Sequence, residues 1–389
     1  MILEELTLQG ILSFAPDTPP IPLRPLNILI GPNGSGKSNL IDAIDLLRST
    51  TKQNLAPIRS TTGGFEQWIW NGESDKDAAT VFLRSRIVNE FNRQVTHSLT
   101  LGSSHFAFFV WGEEIYESNV HADPIRLFKL SPFGQKVEIH NGKELITVGA
   151  DKFDTHASVL SQIRDPVSYP GLYKLTKDYE GFRIFREWSF GRKSVFRVPQ
   201  PADMPSNRLE EDFSNLGLFL NRLRETPKAK RQLLERLQDL YPGIDDFDVR
   251  VQGGSVELYL TEGDWIIPAG RLSDGTLRYL CLLAILCDPN PPPLICLEEP
   301  ELGLHPDILP NLADLMIEAS ERTQLIVTTH SDVIVDAMSD QPESVVVVEK
   351  HEGRTRMKRL ENSGETKAYL EQYRLGEMWL RGMIGGTRW

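Results

Sequence analysis

The run Gly31-Pro32-Asn33-Gly34-Ser35-Gly36-Lys37-Ser38 constrains this chain more than any other stretch, because it meets every fixed position of GxxxxGK[ST]. Its flanks are of the right kind. Pro25-Leu26-Asn27-Ile28-Leu29-Ile30 is a short apolar run that predicts a buried strand ending at Gly31. Leu40, Ile41, Ile44 and Leu47 then share one face of a helix predicted over 39–47. Three glycines let backbone N–H groups and the helix N-terminus turn toward phosphate oxygens. In such a loop Lys37 reaches the β- and γ-phosphates and Ser38 lends its hydroxyl to Mg2+, so ATP with Mg2+ is the expected ligand pair. The expected nucleotide-binding set is Gly31, Pro32, Asn33, Gly34, Ser35, Gly36, Lys37, Ser38 and Asn39.

A second cluster of chemistry follows an apolar strand. Leu294-Ile295-Cys296-Leu297 delivers two adjacent carboxylates, Glu298 and Glu299, at its end. Neighbours on a strand face opposite ways, which suits two jobs. One carboxylate can hold Mg2+ and the other can orient or deprotonate the attacking water; metal is assigned to Glu298 and water to Glu299.

Around these motifs the periodicity outlines an α/β protein. Between about 79 and 150, alternating segments such as Ala79-Thr80-Val81-Phe82-Leu83 and Ala107-Phe108-Phe109-Val110-Trp111 predict antiparallel strands. From Asn215 to Leu240 the pattern is helical with a break near Pro227, a candidate insertion, and Val249 to Leu260 predicts a hairpin around Gly253-Gly254. A strongly apolar helix over 277–286, a strand over 294–297, a helix over 307–319 and a strand over 325–329 then alternate, which favours a parallel sheet. The expected division is an N-terminal lobe over 1–175 with the phosphate loop and a β subdomain, a partly helical basic insertion over 176–265, a C-terminal lobe over 266–350 and a tail over 351–389.

Composition removes whole classes. The 389 residues hold 54 acidic and 42 basic side chains, net −12, with 40% hydrophobic residues, which excludes a disordered or fibrous chain. The longest apolar run, Tyr279 to Cys287, has nine residues against roughly 20 needed to cross a bilayer, so no membrane span is expected. Met1-Ile2-Leu3-Glu4-Glu5-Leu6 lacks the basic start of a secretory signal, and a cytoplasmic location is expected. Cys281, Cys287 and Cys296 lie in apolar segments without CxxC spacing and are expected to be buried thiols. His97, His105, His121, His140, His156 and His351 show no metal-ligand spacing. Residues 181–236 carry twelve Lys or Arg against seven acids, net +5 against −17 for the remainder, with Phe182, Phe185, Trp188, Phe190 and Phe196 interleaved. That segment reads either as a solvated face over core aromatics or as a nucleic-acid or acidic-partner surface.

Taken together, the motifs resemble the ABC-type ATPases of the RecF/SMC-like branch. Leu272-Ser273-Asp274-Gly275-Thr276 is similar to the LSxG signature, Glu298-Glu299-Pro300-Glu301-Leu302-Gly303-Leu304-His305-Pro306 to the Walker B and D-loop, and Thr328-Thr329-His330 to the switch histidine. The resemblance implies an ABC-ATPase head, with a parallel core sheet, an antiparallel β subdomain and a helical insertion. It implies two heads that dimerise over two ATP molecules, Ser273 and Gly275 binding the γ-phosphate in trans and His330 contacting it in cis. Asp274 would then add like charge beside the phosphate, and His305 would position the D-loop. Gln67 stands in the region of the Q-loop, a further metal contact in that family. Glu298 stands where most ABC proteins carry Asp, one methylene longer, which implies slow turnover. The implied roles are DNA maintenance, repair or phage defence by an ATP-driven homodimer, or an ATP-locked scaffold that regulates a partner effector such as a nuclease or toxin. A transporter subunit is disfavoured, since 236 positions separate Lys37 from Ser273. Only 59 residues follow His330, without a DxD-like carboxylate cluster, so no intrinsic nuclease is expected.

Overall fold

The computed structural model describes residues 3–53, 55–60, 64–72, 80–88, 93–104, 107–119, 122–131, 136–189, 191–192, 194–364 and 369–386. Ala79, His105, His121, Phe190, Lys193 and Thr387-Arg388-Trp389, together with Met1-Ile2, lie outside the described residues, as does the side chain of Phe196. The chain divides into two compact units: Met1–Phe182 with Glu343–Leu360 and Gly382–Trp389, and Arg183–Pro342 with Glu361–Arg381. No helix among the described residues is long and apolar enough to cross a membrane.

The first unit contains an antiparallel sheet in which Leu3–Gln9 pairs with Val81–Val88, followed in order by Gln94–Ser104, Ala107–Asn119, Ala122–Leu130, Lys136–His140 and Leu145–Gly149. Alternation decides which face is covered: Val81, Leu83, Ser85 and Ile87 are buried and their neighbours are not. A polar cluster lies inside this packing. His97 places Nε2 2.9 Å from Glu113 Oε1 and Nδ1 3.0 Å from the Tyr179 hydroxyl, which is 2.6 Å from Ser85 Oγ. Ser158 donates its hydroxyl to Glu113 Oε1 at 2.5 Å and Val159 its N–H to Oε2 at 2.8 Å, so the carboxylate anchors the short helix Val159–Gln162 to the sheet. Burial pushes the Tyr179 phenol well above its ordinary range. Glu113→Ala removes the acceptor and leaves buried donors unmatched, at a cost of about 3–5 kcal/mol. The urea midpoint is expected to fall accordingly with an unchanged slope, and an unchanged midpoint would contradict this account.

The same unit holds the strand before the phosphate loop. Leu26–Ile30 is buried at all five positions, as a strand covered on both faces must be. It pairs in parallel with Val345–His351, Ile28 opposite Val345 and Ile30 opposite Val347, and Arg354–Arg359 returns antiparallel along the far side of that partner.

The second unit carries a parallel set, Arg183–Phe185 beside Leu294–Glu298 beside Gln324–Thr328. Its helix Asp274–Leu286 is buried from Leu277 to Leu286, which explains its near-continuous apolarity. Helices Leu216–Arg224 and Pro227–Leu240 are split where Pro227 opens the second, and Asp246–Gln252 turns at Gly253-Gly254 into Ser255–Glu262. The three cysteines are buried thiols; burial lifts Cys287 to about 12.

Candidate functional site

In the first unit, glycine is required at two places in the loop. A Cβ on Gly31 would lie 2.0 Å from the Val348 carbonyl oxygen, and one on Gly36 2.2 Å from Thr355 Oγ1. Gly31, Gly34 and Gly36 also take positive φ, a region side chains rarely adopt. Behind the loop, Thr355 donates its hydroxyl to the Ser35 carbonyl at 2.7 Å and lies 2.6 Å from Ser13 Oγ, which also accepts the Asn39 amide at 2.6 Å. The loop is therefore braced from the strand Arg354–Arg359, which no loop motif in the sequence announces. Helix Lys37–Ser49 begins at Gly36 with no side-chain cap, so its first turn presents backbone donors. Lys37 is buried and folds over the loop, donating to the Gly31 carbonyl at 2.8 Å and the Pro32 carbonyl at 3.1 Å. Ser35 is buried with its hydroxyl unmatched, while Asn33, Gly34 and Ser38 are exposed. These are the donors and the tight backbone that a polyphosphate needs. Gln67 is exposed on the short helix Gly64–Trp68.

In the second unit the paired carboxylates stand at the end of Leu294–Glu298. Glu298 Oε2 is 3.8 Å from Arg186 Nε. Glu299 has φ +47°, unusual for a residue with a side chain, and donates its N–H to the Thr328 carbonyl at 3.0 Å. Its Oε1 lies 3.4 Å from His330 Nε2, so the expected water-handling carboxylate and the expected switch histidine meet. Glu301, to which the sequence reading gives no role of its own, locks this corner: its Oε1 accepts the Thr329 hydroxyl and the His330 N–H, each at 2.7 Å. Desolvation raises the Glu301 pKa above the ordinary carboxylate value against those two bonds. His305 accepts the Asp307 N–H and opens the turn Pro306–Ile308, after which the helix runs Leu309–Ser320.

Ser273 caps the helix Asp274–Leu286, accepting the Thr276 N–H at 3.0 Å. Gly275 faces the Gly303 carbonyl, 3.3 Å from where a Cβ would stand. Arg197 staples this turn, donating to the Gly270 carbonyl at 3.1 Å and the Leu272 carbonyl at 2.7 Å and pairing with Asp274. The Arg197 hydrogen bond holds the Asp274 carboxyl below its usual range. The like charge expected from Asp274 is thus met by a cation 77 residues away in sequence, a pairing that no local pattern reveals.

In the basic stretch 181–236, at least five of the twelve cations pair with acids that lie outside it. Arg197 meets Asp274, Arg222 Asp288, Arg224 Asp248, Lys230 Asp246 and Arg236 Glu318. Phe182 and Phe185 are core residues, and Trp188 stacks on Phe213 at 5.5 Å between centroids. The acids that meet these five cations come from other segments of the unit.

Among solved structures, the chain is similar to an SMC head bound to the C-winged helix domain of ScpA, at 15% identity and a TM-score of 0.56 over 93% of this chain and 99% of that one. It is also similar to an SMC head domain with an extended coiled coil bound to the C-terminal domain of ScpA derived from Pyrococcus furiosus, at 15% identity and 0.55 over 95% and 99%. Those likenesses show the fold, the α/β ATPase head. No curated protein matches the sequence. The profile of the family described as "AAA domain, putative AbiEii toxin, Type IV TA system" matches residues 26–336. With that match over most of its length, the chain belongs to this family and has the fold of a P-loop ATPase of the SMC/RecF-like branch.

Proposed function

We propose that this protein binds Mg-ATP on Gly31–Asn39, hydrolyses it, and uses the cycle to join and release two copies head to head. The observation that carries the reading is the braced phosphate loop: positive-φ glycines, an uncapped helix start and a buried lysine already aimed at oxygen. Ser38 hydroxyl and Glu298 carboxylate are hard oxygen donors, the type Mg2+ prefers, with the Gln67 amide oxygen as a third. When bound, the ion would supply positive charge against the phosphates. Glu299 then acts as the base or orienter for water, with His330 beside it.

A second reading has its own support. The family description names a toxin system, and the two SMC heads are each recorded with a bound ScpA domain. An ATP-locked scaffold holding a protein effector fits those names, and DNA maintenance or phage defence fits the resemblance. A turnover number, measured with and without DNA, separates a working ATPase from a locked scaffold.

Lys37→Ala tests the nucleotide site itself. The ammonium contributes a charge-assisted bond worth about 1.5–3 kcal/mol, so ATP should bind about tenfold more weakly or worse by calorimetry. Equal affinity would remove Gly31–Ser38 as the site.

A further inference from the structure

Resting on the reading of Glu299 as the residue that handles water, a further role falls to a buried arginine on the helix that Ser273 opens. Arg278 is 6% exposed, and its guanidinium lies over the Trp188 ring, 4.6 Å from the centroid. Its Nη2 donates to the Glu299 carbonyl at 3.0 Å. Trp188 in turn donates its indole N–H to the Glu298 carbonyl at 2.7 Å. The stacked pair thus takes the backbone carbonyls of both carboxylate residues. On its other side Glu299 gives its N–H to the Thr328 carbonyl. A glutamate at φ +47° does not rest there without support; here its peptide groups are held before and after the residue, which fixes the direction in which the carboxylate leaves the chain toward His330.

We propose that Arg278 is a positioning residue for ATP hydrolysis: stacked on Trp188, it holds the Glu299 carbonyl and ties the aim of the Glu299 carboxylate to the helix Asp274–Leu286. Burial lowers the guanidinium to about 10, against the opposing pull of Glu301 and Glu299, so it remains a cation at neutral pH. Because the same helix begins at Ser273, an event at that end reaches the carboxylate through one side chain five positions along. Lysine is a poor substitute, since it lacks the planar fork that can stack and donate at once.

The test uses the full chain with Arg278→Gln, Arg278→Lys and Trp188→Phe, measuring kcat and KM for ATP, ATP affinity by calorimetry, and the thermal midpoint. Misplacing a reacting group by about 1 Å costs on the order of a hundredfold. Arg278→Gln is therefore expected to lower kcat about 10- to 100-fold while KM and ATP affinity stay within about threefold. Arg278→Lys should fall between it and wild type, and Trp188→Phe, which keeps a ring for stacking but loses the N–H, should lose less. Wild-type kcat in Arg278→Gln overturns the positioning role, and so does a loss that merely follows a lowered thermal midpoint with Gln and Lys alike. A wild-type chain that releases no phosphate from ATP overturns instead the hydrolytic reading on which the role rests.

Discussion

Glu299→Gln is expected to slow phosphate release from ATP by about 10²–10⁴ while leaving ATP binding intact. Glutamine keeps the length and one acceptor oxygen of the side chain, so the strained turn at Glu299, held through its N–H and carbonyl, has no reason to rearrange. What disappears is the negative charge 3.4 Å from His330 Nε2, and with it the group able to orient or take a proton from water. The variant should retain bound ATP through gel filtration. Glu298→Gln is expected to differ in kind. Its carboxylate is assigned to Mg2+, so its loss should raise the Mg2+ concentration needed and weaken nucleotide binding together. The two variants behaving alike in both assays would show that the division of labour between these neighbours is wrong.

The parts of this molecule legible in the sequence are those written in adjacent residues. Leu26–Ile30, the loop and the helix after it follow from a buried run, three glycines and a 3.6-residue stripe. The strands Leu294–Glu298 and Gln324–Thr328 and the split at Pro227 fall within a few residues of the periodic reading. Val345–Val348 is as apolar as those strands and follows the short helix Asp332–Asp336, yet nothing in the local pattern says that this strand is the parallel partner of Leu26–Ile30. Strand pairing is a long-range event, and only the structure shows that Thr355 braces Ser35.

Charge was the least readable feature. The sequence sums the arginines of 181–236 as an excess, while folding gives Arg197, Arg222, Arg224 and Arg236 to Asp274, Asp288, Asp248 and Glu318. Arg278 in a run of leucines reads as an irregularity in an apolar helix; its meaning depends on Trp188 and Glu299, 90 positions before it and 21 after. Glu301 likewise becomes informative only when Thr329 and His330 come to its carboxylate.

Ser273→Arg, placed in the Glu299→Gln background, is expected to abolish ATP-dependent dimer formation while leaving ATP binding by the single chain nearly unchanged. Ser273 is exposed at the start of a 13-residue helix, with its hydroxyl on Thr276 and its turn stapled by Arg197. That rigid, polar helix end carries no phosphate loop of its own, so any phosphate it meets must be brought by the Gly31–Ser38 loop. If the loop belongs to a second copy, two-fold symmetry produces two such sites in one self-complementary interface. ATP then favours the closed pair because it binds that state better than the separate chains. Because Arg197 already neutralises Asp274, closure should depend less on Mg2+ than an unpaired carboxylate at that position would require. An arginine at 273 fills the space a phosphate would need and removes the cap, without touching the loop that binds nucleotide. In sedimentation with Mg-ATP, the Glu299→Gln protein should show a larger dimer fraction than with ADP, and the double variant should show none of that gain. A double variant that still dimerises on ATP, or a dimer indifferent to nucleotide in both proteins, would return Leu272–Thr276 to the role of an ordinary helix cap.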